Sequence, residues 1–258
     1  GDTVAVLIEA LKDGKASVRE RAAEGLSNVG RALGDVHRAL AAALKDESKD
    51  VRGQAAWALA RMDCDARLVL PALDEFLKDD EKPVRQQSLH ALFSYHPVSV
   101  PRFMEALKDR DWEVRDAAAE RLGQCGREAK EAIPALAEVA RSDPHPTVRG
   151  RALSALPSMG EGAIPALVEL LESADWGVQQ NAMDGLQRYR DRAKPAVPRL
   201  IVILKEGNPI LRGLAADTLG QIGPAAKDAV DTLKEAARDA NPIVKEQAEQ
   251  ALKRIEKR

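Results

Sequence analysis

The sequence predicts an all-α fold, an α-solenoid of eight stacked helical hairpins. Three observations predict it. A Val-Arg pair returns down the chain at Val18-Arg19, Val51-Arg52, Val84-Arg85, Val114-Arg115 and Val148-Arg149, then as Val178-Gln179, Leu211-Arg212 and Val244-Lys245. The step between the apolar members stays within 30–34 residues, which marks one supersecondary unit repeated and stacked. Each unit also holds two apolar-periodic segments parted by a short polar break.

In the first unit, Val4, Leu7, Ile8 and Leu11 are followed by Val18, Ala22, Ala23, Leu26 and Val29. Spacings of three and four put these side chains on one face of each helix. Helices of about 10–14 residues are marginal alone in water, so each hairpin must bury its faces against its neighbours. Helix-start chemistry marks the second helices. Asn208-Pro209 and Asn241-Pro242 place Asn at the N-cap and Pro at the first helical position, His145-Pro146 repeats this with a weaker cap, and Asp111-Trp112 and Asp175-Trp176 supply Asp. Gly30, Gly126, Gly160 and Gly223 fall where a left-handed residue ends a helix. Pro71, Pro101, Pro134, Pro165 and Pro198 are expected at the start of first helices.

Other positions repeat in step. Four residues after each Val stands a small residue: Ala22, Ala55, Ser88, Ala118, Ala152, Ala182, Ala215 and Ala248. Eight after it stands Leu26, Leu59, Leu92, Leu122, Leu156, Leu186, Leu219 or Leu252. Small residues let helices approach closely, and Leu fills the layer between. Asp at the end of the first helix, Pro in the turn, the Val-Arg pair, Ala-Ala and Leu together resemble the HEAT repeat, most closely its short bacterial, phycobilisome-lyase-type form. The resemblance covers residues 3–258. It implies one solenoid with right-handed superhelical stacking and repeats at about 3–34, 35–67, 68–98, 99–131, 132–161, 162–194, 195–227 and 228–258. It also implies first helices on the convex side and second helices lining a concave groove, as in other armadillo-like folds.

A polar series accompanies the apolar one. Five residues before each Val come Asp13, Asp46, Asp79, Asp109, Asp143, Ser173, Glu206 and Asp239. One after it comes the basic residue. In the sixth unit both change together, to Ser173 and Gln179, which suggests that the two positions see each other, within a unit or across to the next. The expectation is a structural ladder of ion pairs and capped carbonyls, with unit six the softest joint.

Composition narrows the function classes. A formal net charge of −2 gives no overall attraction to nucleic acid or an anionic membrane. No apolar run is long enough to span a bilayer. Cys125 takes a core position filled elsewhere by Val29 and Ile222, whereas Cys64 lies in a connection two units earlier, so no disulfide is expected. This cysteine usage leans slightly to the cytoplasm. Glu249, where earlier units are apolar, reads as a C-terminal cap facing water. Val4, Val6, Leu7, Ile8 and Leu11 look internal, as though further repeats or domains preceded residue 1 or a partner covered that edge.

The expected function is a non-enzymatic scaffold or adaptor that binds a protein or peptide in the groove. Candidate contacts are Trp57, Arg61, Gln86, His90, Trp112, Asp116, Glu120, Gln124, Arg151, Trp176, Gln180 and Asn181. Only eight residues are Phe, Tyr or Trp, and all three Trp fall at groove positions. Trp buries a large area at low entropy cost, which suits a binding hot spot. Trp112 and Trp176 could equally seal the adjacent turn, so Trp57, mid-helix, is the better anchor. Glu113, Asp116 and Glu120 form an acidic spot suited to a partner's Lys or Arg.

Enzymes are weighed against this reading. Deoxyhypusine hydroxylases bind iron through His-Glu dipeptides, and none occurs here. Phycobilin lyases resemble the repeat, without a bilin-specific motif. HEAT-like DNA glycosylases acting on modified bases use Trp and Asp in a basic cleft. Trp112, Asp116 and Trp176 loosely match, but the groove positions sum to a negative charge. A third alternative is a mechanical spacer within a larger protein. No catalytic, cofactor or metal motif is found.

Overall fold

The computed structural model describes residues 2–28, 34–62 and 65–256. Among them there are helices and turns and no strand. First helices are α1 (Asp2–Ala10), α3 (Gly34–Ala43), α5 (Ala66–Phe76), α7 (Val100–Ala106), α9 (Ile133–Ser142), α11 (Ile164–Leu170), α13 (Val197–Glu206) and α15 (Val230–Ala236). Each is followed by its hairpin partner: α2 (Ala16–Ser27), α4 (Lys49–Arg61), α6 (Lys82–Leu92), α8 (Trp112–Cys125), α10 (Pro146–Ala155), α12 (Trp176–Gln187), α14 (Pro209–Ile222) and α16 (Pro242–Glu256). The chain forms two compact units, Gly1–Arg121 and Leu122–Arg258.

The repeated positions build the core of each unit. All eight small residues four past the Val position are at most 2 % exposed, and the Leu series from Leu26 to Leu219 is fully buried. Leu252, in the last helix, is half-buried, and Glu249 beside it faces water. At Ser88 the small residue is polar, and its Oγ donates to the Leu73 carbonyl at 2.8 Å, so burial leaves nothing unsatisfied. Second helices pack so closely that a β-carbon on Gly220 would lie 2.9 Å from Ala251 Cα. Cys125 is a buried thiol, while Gly30 and Cys64 lie outside the described residues. Val6 is 66 % exposed. No helix among the described residues is long and apolar enough to cross a membrane.

The expected caps are present. Asn208 Oδ1 accepts from the Leu211 amide at 3.0 Å, Asp175 Oδ1 from Gly177 at 2.8 Å and Asn241 Oδ1 from Ile243 at 3.0 Å. His145 makes no side-chain cap bond. Pro101, Pro134, Pro165 and Pro198 sit in the first turn of their helices. Pro71 does not: it lies inside α5. Asp65 explains the difference, because its carboxylate caps the Arg67 amide at 2.9 Å and starts α5 about a turn earlier. The turn after the second helix needs a left-handed residue, and Gly126 (φ 57°), Gly160 (φ 88°) and Gly223 (φ 71°) supply it. In the sixth unit Arg190 occupies that conformation, with φ 52°.

The polar series is a ladder with a definite direction. In five successive units the Arg guanidinium donates to the carbonyl of its own unit's Asp. The distances are 2.8 Å for Arg19, Arg52 and Arg115, 2.7 Å for Arg85 and 2.9 Å for Arg149. Those carbonyls end a first helix and have no intrahelical partner. The Asp carboxylate meanwhile accepts the amide two residues on, as Asp46 does from Ser48 at 2.8 Å, and closes the turn. The fork of the guanidinium reaches the next unit's Asp: Arg19 to Asp46 at 2.7 and 2.9 Å, Arg85 to Asp109 at 2.8 and 3.0 Å. Arg212 contacts Asp239 at 3.2 Å in the same way.

This direction corrects the expectation that Ser173 and Gln179 are lost as a pair. Where the ladder is complete, the Asp position meets the preceding repeat's Arg and the Arg position meets the following repeat's Asp, so changes at 173 and 179 fall at different joints. Asp175 stands in for the missing carboxylate, 3.1 Å from Arg149. Ser173 Oγ still closes its turn, accepting from Asp175 at 3.2 Å, and Gln179 Nε2 still caps a carbonyl, that of Leu171, at 3.1 Å.

Candidate functional site

The twelve candidate contacts lie on second helices, and none is buried. In unit Gly1–Arg121, Trp57 and Arg61 stand on α4, Gln86 and His90 on α6, and Trp112, Asp116 and Glu120 on α8. In unit Leu122–Arg258, Gln124 ends α8, Arg151 stands on α10, and Trp176, Gln180 and Asn181 on α12.

The tryptophans are ordered differently from the sequence expectation. Trp57 is half-buried, and the Arg61 guanidinium lies 4.5 Å above its ring. A residue four positions on sits directly over its neighbour on a helix, so the indole is covered by its own helix. Trp112 and Trp176, at helix starts, are 37 % and 55 % exposed. They offer more indole surface than Trp57.

His90 is tied to the next helix. Arg121 donates to its Nδ1 at 3.0 Å, which leaves the imidazole proton on Nε2. The same guanidinium lies 5.3 Å from the Phe93 ring. Partial desolvation holds the imidazole pKa below its usual value, the Arg121 charge adds to this, and Glu120 opposes both. The acidic spot is weaker than its composition suggests, because Lys82 Nζ pairs with Glu113 at 2.6 Å.

On the other unit's face, burial raises the Asp184 carboxyl above its usual range, and the nearby Asp217 charge adds to the rise. Asp217 is held by Arg254 at 2.7 Å and by Gln187 Nε2 at 3.2 Å, and Gln187 also reaches Thr218 at 3.1 Å. Asn181 Nδ2 bonds back to the Gly177 carbonyl at 2.8 Å. Asp217, Gln187 and Arg254 were not among the named candidates, although Asp217 and Arg254 stand at the repeat positions of Trp57 and Arg61. Among the described residues no group of three or more His, Cys, Asp or Glu could hold a metal ion.

The model of HEAT repeats matches residues 4–92, 94–157 and 161–253. No curated protein sequence matches the chain. Kap95p, in a structure where its binding induces the switch loops of RanGDP to adopt the GTP-bound conformation, superposes with a TM-score of 0.65 at 12% identity, over 98% of this chain and 40% of that one. Importin beta gives 0.64 at 14% identity, over 96% and 40%. This chain thus spans about two fifths of either. YibA of Escherichia coli gives 0.53 at 23% identity, over 97% of this chain and 92% of that one. With three matched segments that together take in nearly all of its length, the chain belongs to the HEAT repeat family.

Proposed function

We propose that the protein is a non-enzymatic interaction scaffold that docks a protein or peptide segment on its second-helix faces. The carrying observation is the exposure of Trp112 and Trp176 at helix starts, in a chain with three Trp. Large exposed indoles on an otherwise polar face, with Gln, Asn and Arg around them, have the make-up of a hot spot with a wet rim. The structural likeness to Kap95p, a protein that binds RanGDP, supports the same class. The negative sum over the face positions argues against a phosphate-tracking cleft, so the scaffold reading is preferred to action on a modified DNA base.

The test is a peptide selected by display against the intact chain and measured by fluorescence anisotropy. Trp112→Ala and Trp176→Ala should each weaken it about tenfold or more, with melting unchanged. Selection of no peptide sensitive to either Trp would refute the reading. A melting drop of several degrees with affinity preserved would show that the indoles seal their turns instead.

A further inference from the structure

We propose that the turns following α8, α10 and α12 in unit Leu122–Arg258 form a binding site for a phosphoryl-type polyanion, a phosphate ester or pyrophosphate, gripped by Arg127, Arg188 and Arg190. The site borders the candidate face, since Arg188 also lines a recess with Asn181, but nothing in it rests on the scaffold reading.

Three observations converge. First, these turns enclose a concave space of about 540 Å³ lined by four arginines and only two carboxylates, Glu161 and Asp191. That is a local excess of positive charge in a chain whose net charge is −2. Second, Arg192 pairs with Glu161, whereas Arg127, Arg188 and Arg190 make no hydrogen bond or ion pair with a described residue. The helix-borne arginines of the ladder, by contrast, are engaged, as Arg19, Arg85 and Arg149 are. Third, Arg190 occupies the left-handed position that Gly126, Gly160 and Gly223 fill in other units. A β-carbon there is strained, and strain of this kind collects at ligand sites.

The wall behind the cluster is held in place. The Tyr189 hydroxyl lies 2.9 Å from the Pro157 carbonyl and 2.8 Å from that of Gly160, which ties two turns together. The Arg127 stem packs against Gly160, where a β-carbon would lie 3.4 Å from Nε. A single carboxylate would satisfy one guanidinium fork. Three forks around one space match an anion with several acceptor oxygens and at least two charges.

Isothermal titration of the full chain with pyrophosphate at low salt is the test, beside a phosphoserine peptide and its serine counterpart. Wild type should bind pyrophosphate, and Arg188→Gln and Arg190→Gly should each weaken it at least about tenfold. Arg190→Gly restores the residue that the turn uses elsewhere, so it should also melt higher than wild type. Affinity lost while stability rises is an outcome that a merely structural Arg would not produce. Tighter binding of the phosphopeptide than of pyrophosphate would assign the site to a protein-borne phosphate, and the reverse order to a free polyphosphate. Absence of pyrophosphate binding by wild type, or equal binding by Arg190→Gly, would overturn the proposal.

Discussion

Replacing Arg85 by Met should cost about 3 kcal/mol. The side chain of Arg85 is 3 % exposed, the least of any ion-paired Arg described, and Asp109 opposite it is 11 % exposed. Met fills similar space but removes the two-pronged contact with Asp109, at 2.8 and 3.0 Å. It also strips the cap from the Asp79 and Asp80 carbonyls, at 2.7 and 3.1 Å. Removing one partner of a buried pair costs about 3–5 kcal/mol, because the other charge stays buried without compensation. The low end applies here: Asp109 keeps its bond from the Asp111 amide at 2.9 Å, and Asp111, also paired with Arg85, is 39 % exposed and can rehydrate. Urea unfolding followed by circular dichroism should then show a midpoint about 1–2 M lower. Asp109→Asn in the Met background should cost little more, since its partner is already gone, leaving a coupling of about 1–3 kcal/mol in the double-mutant cycle. If Arg85→Met lay within about 0.5 kcal/mol of wild type, as ordinary surface changes do, the ladder would not be a stabilising element.

The ladder also sets the response to acid. The Arg19 hydrogen bond holds the Asp46 carboxyl below its usual 3.8, helped by the Ser48 amide and opposed by burial. A depressed carboxyl contributes stability that is present above the unfolded value and is lost as pH falls through the folded one. The melting difference between wild type and Asp46→Asn should therefore be full near neutrality and close below about pH 3.8; a constant difference across that range would refute it. Two glycine substitutions should have opposite signs. Gly150→Ala, in open space on α10, should gain about 0.5–1 kcal/mol, whereas Gly220→Ala meets Ala251 backbone at 2.9 Å and should lose about 1–3 kcal/mol. Thermal melts of the pair decide it, and equal signs would refute the packing argument. Arg190→Gly should gain about 0.5–1 kcal/mol by relieving its left-handed backbone, and an unchanged or lower melting temperature would show that no strain resides there.

Much of the fold was legible because repetition turns weak local signals into a strong one. A single Val, Ala or Leu says little, but Val18, Ala22 and Leu26 recurring in step define one helix face in every unit. Caps were legible for a related reason: Asn208, Asn241 and Asp175 act on amides two or three residues away, within the reach of local sequence. Pro71 misled because helix start depends on which of two competing signals wins, and Asp65 upstream of it wins. The candidate face was legible as a set of positions free of core duty. The ranking of its tryptophans was not, since exposure depends on what lies above the ring, and Arg61 covers Trp57.

Sequence alone determined the helical hairpin, its period and its core positions, because all of these follow from the 3.6-residue geometry of one chain segment. Tertiary structure decided the direction of the ladder, which joins Arg19, Arg85 and Arg212 to Asp46, Asp109 and Asp239 of the following repeats. It also brought Arg127, from the turn after α8, around one space with Arg188 and Arg190, from the turn after α12. The ladder pairs connect residues 24 to 27 positions apart and the arginine cluster spans two repeats, and proximity of that kind exists only once the hairpins are stacked.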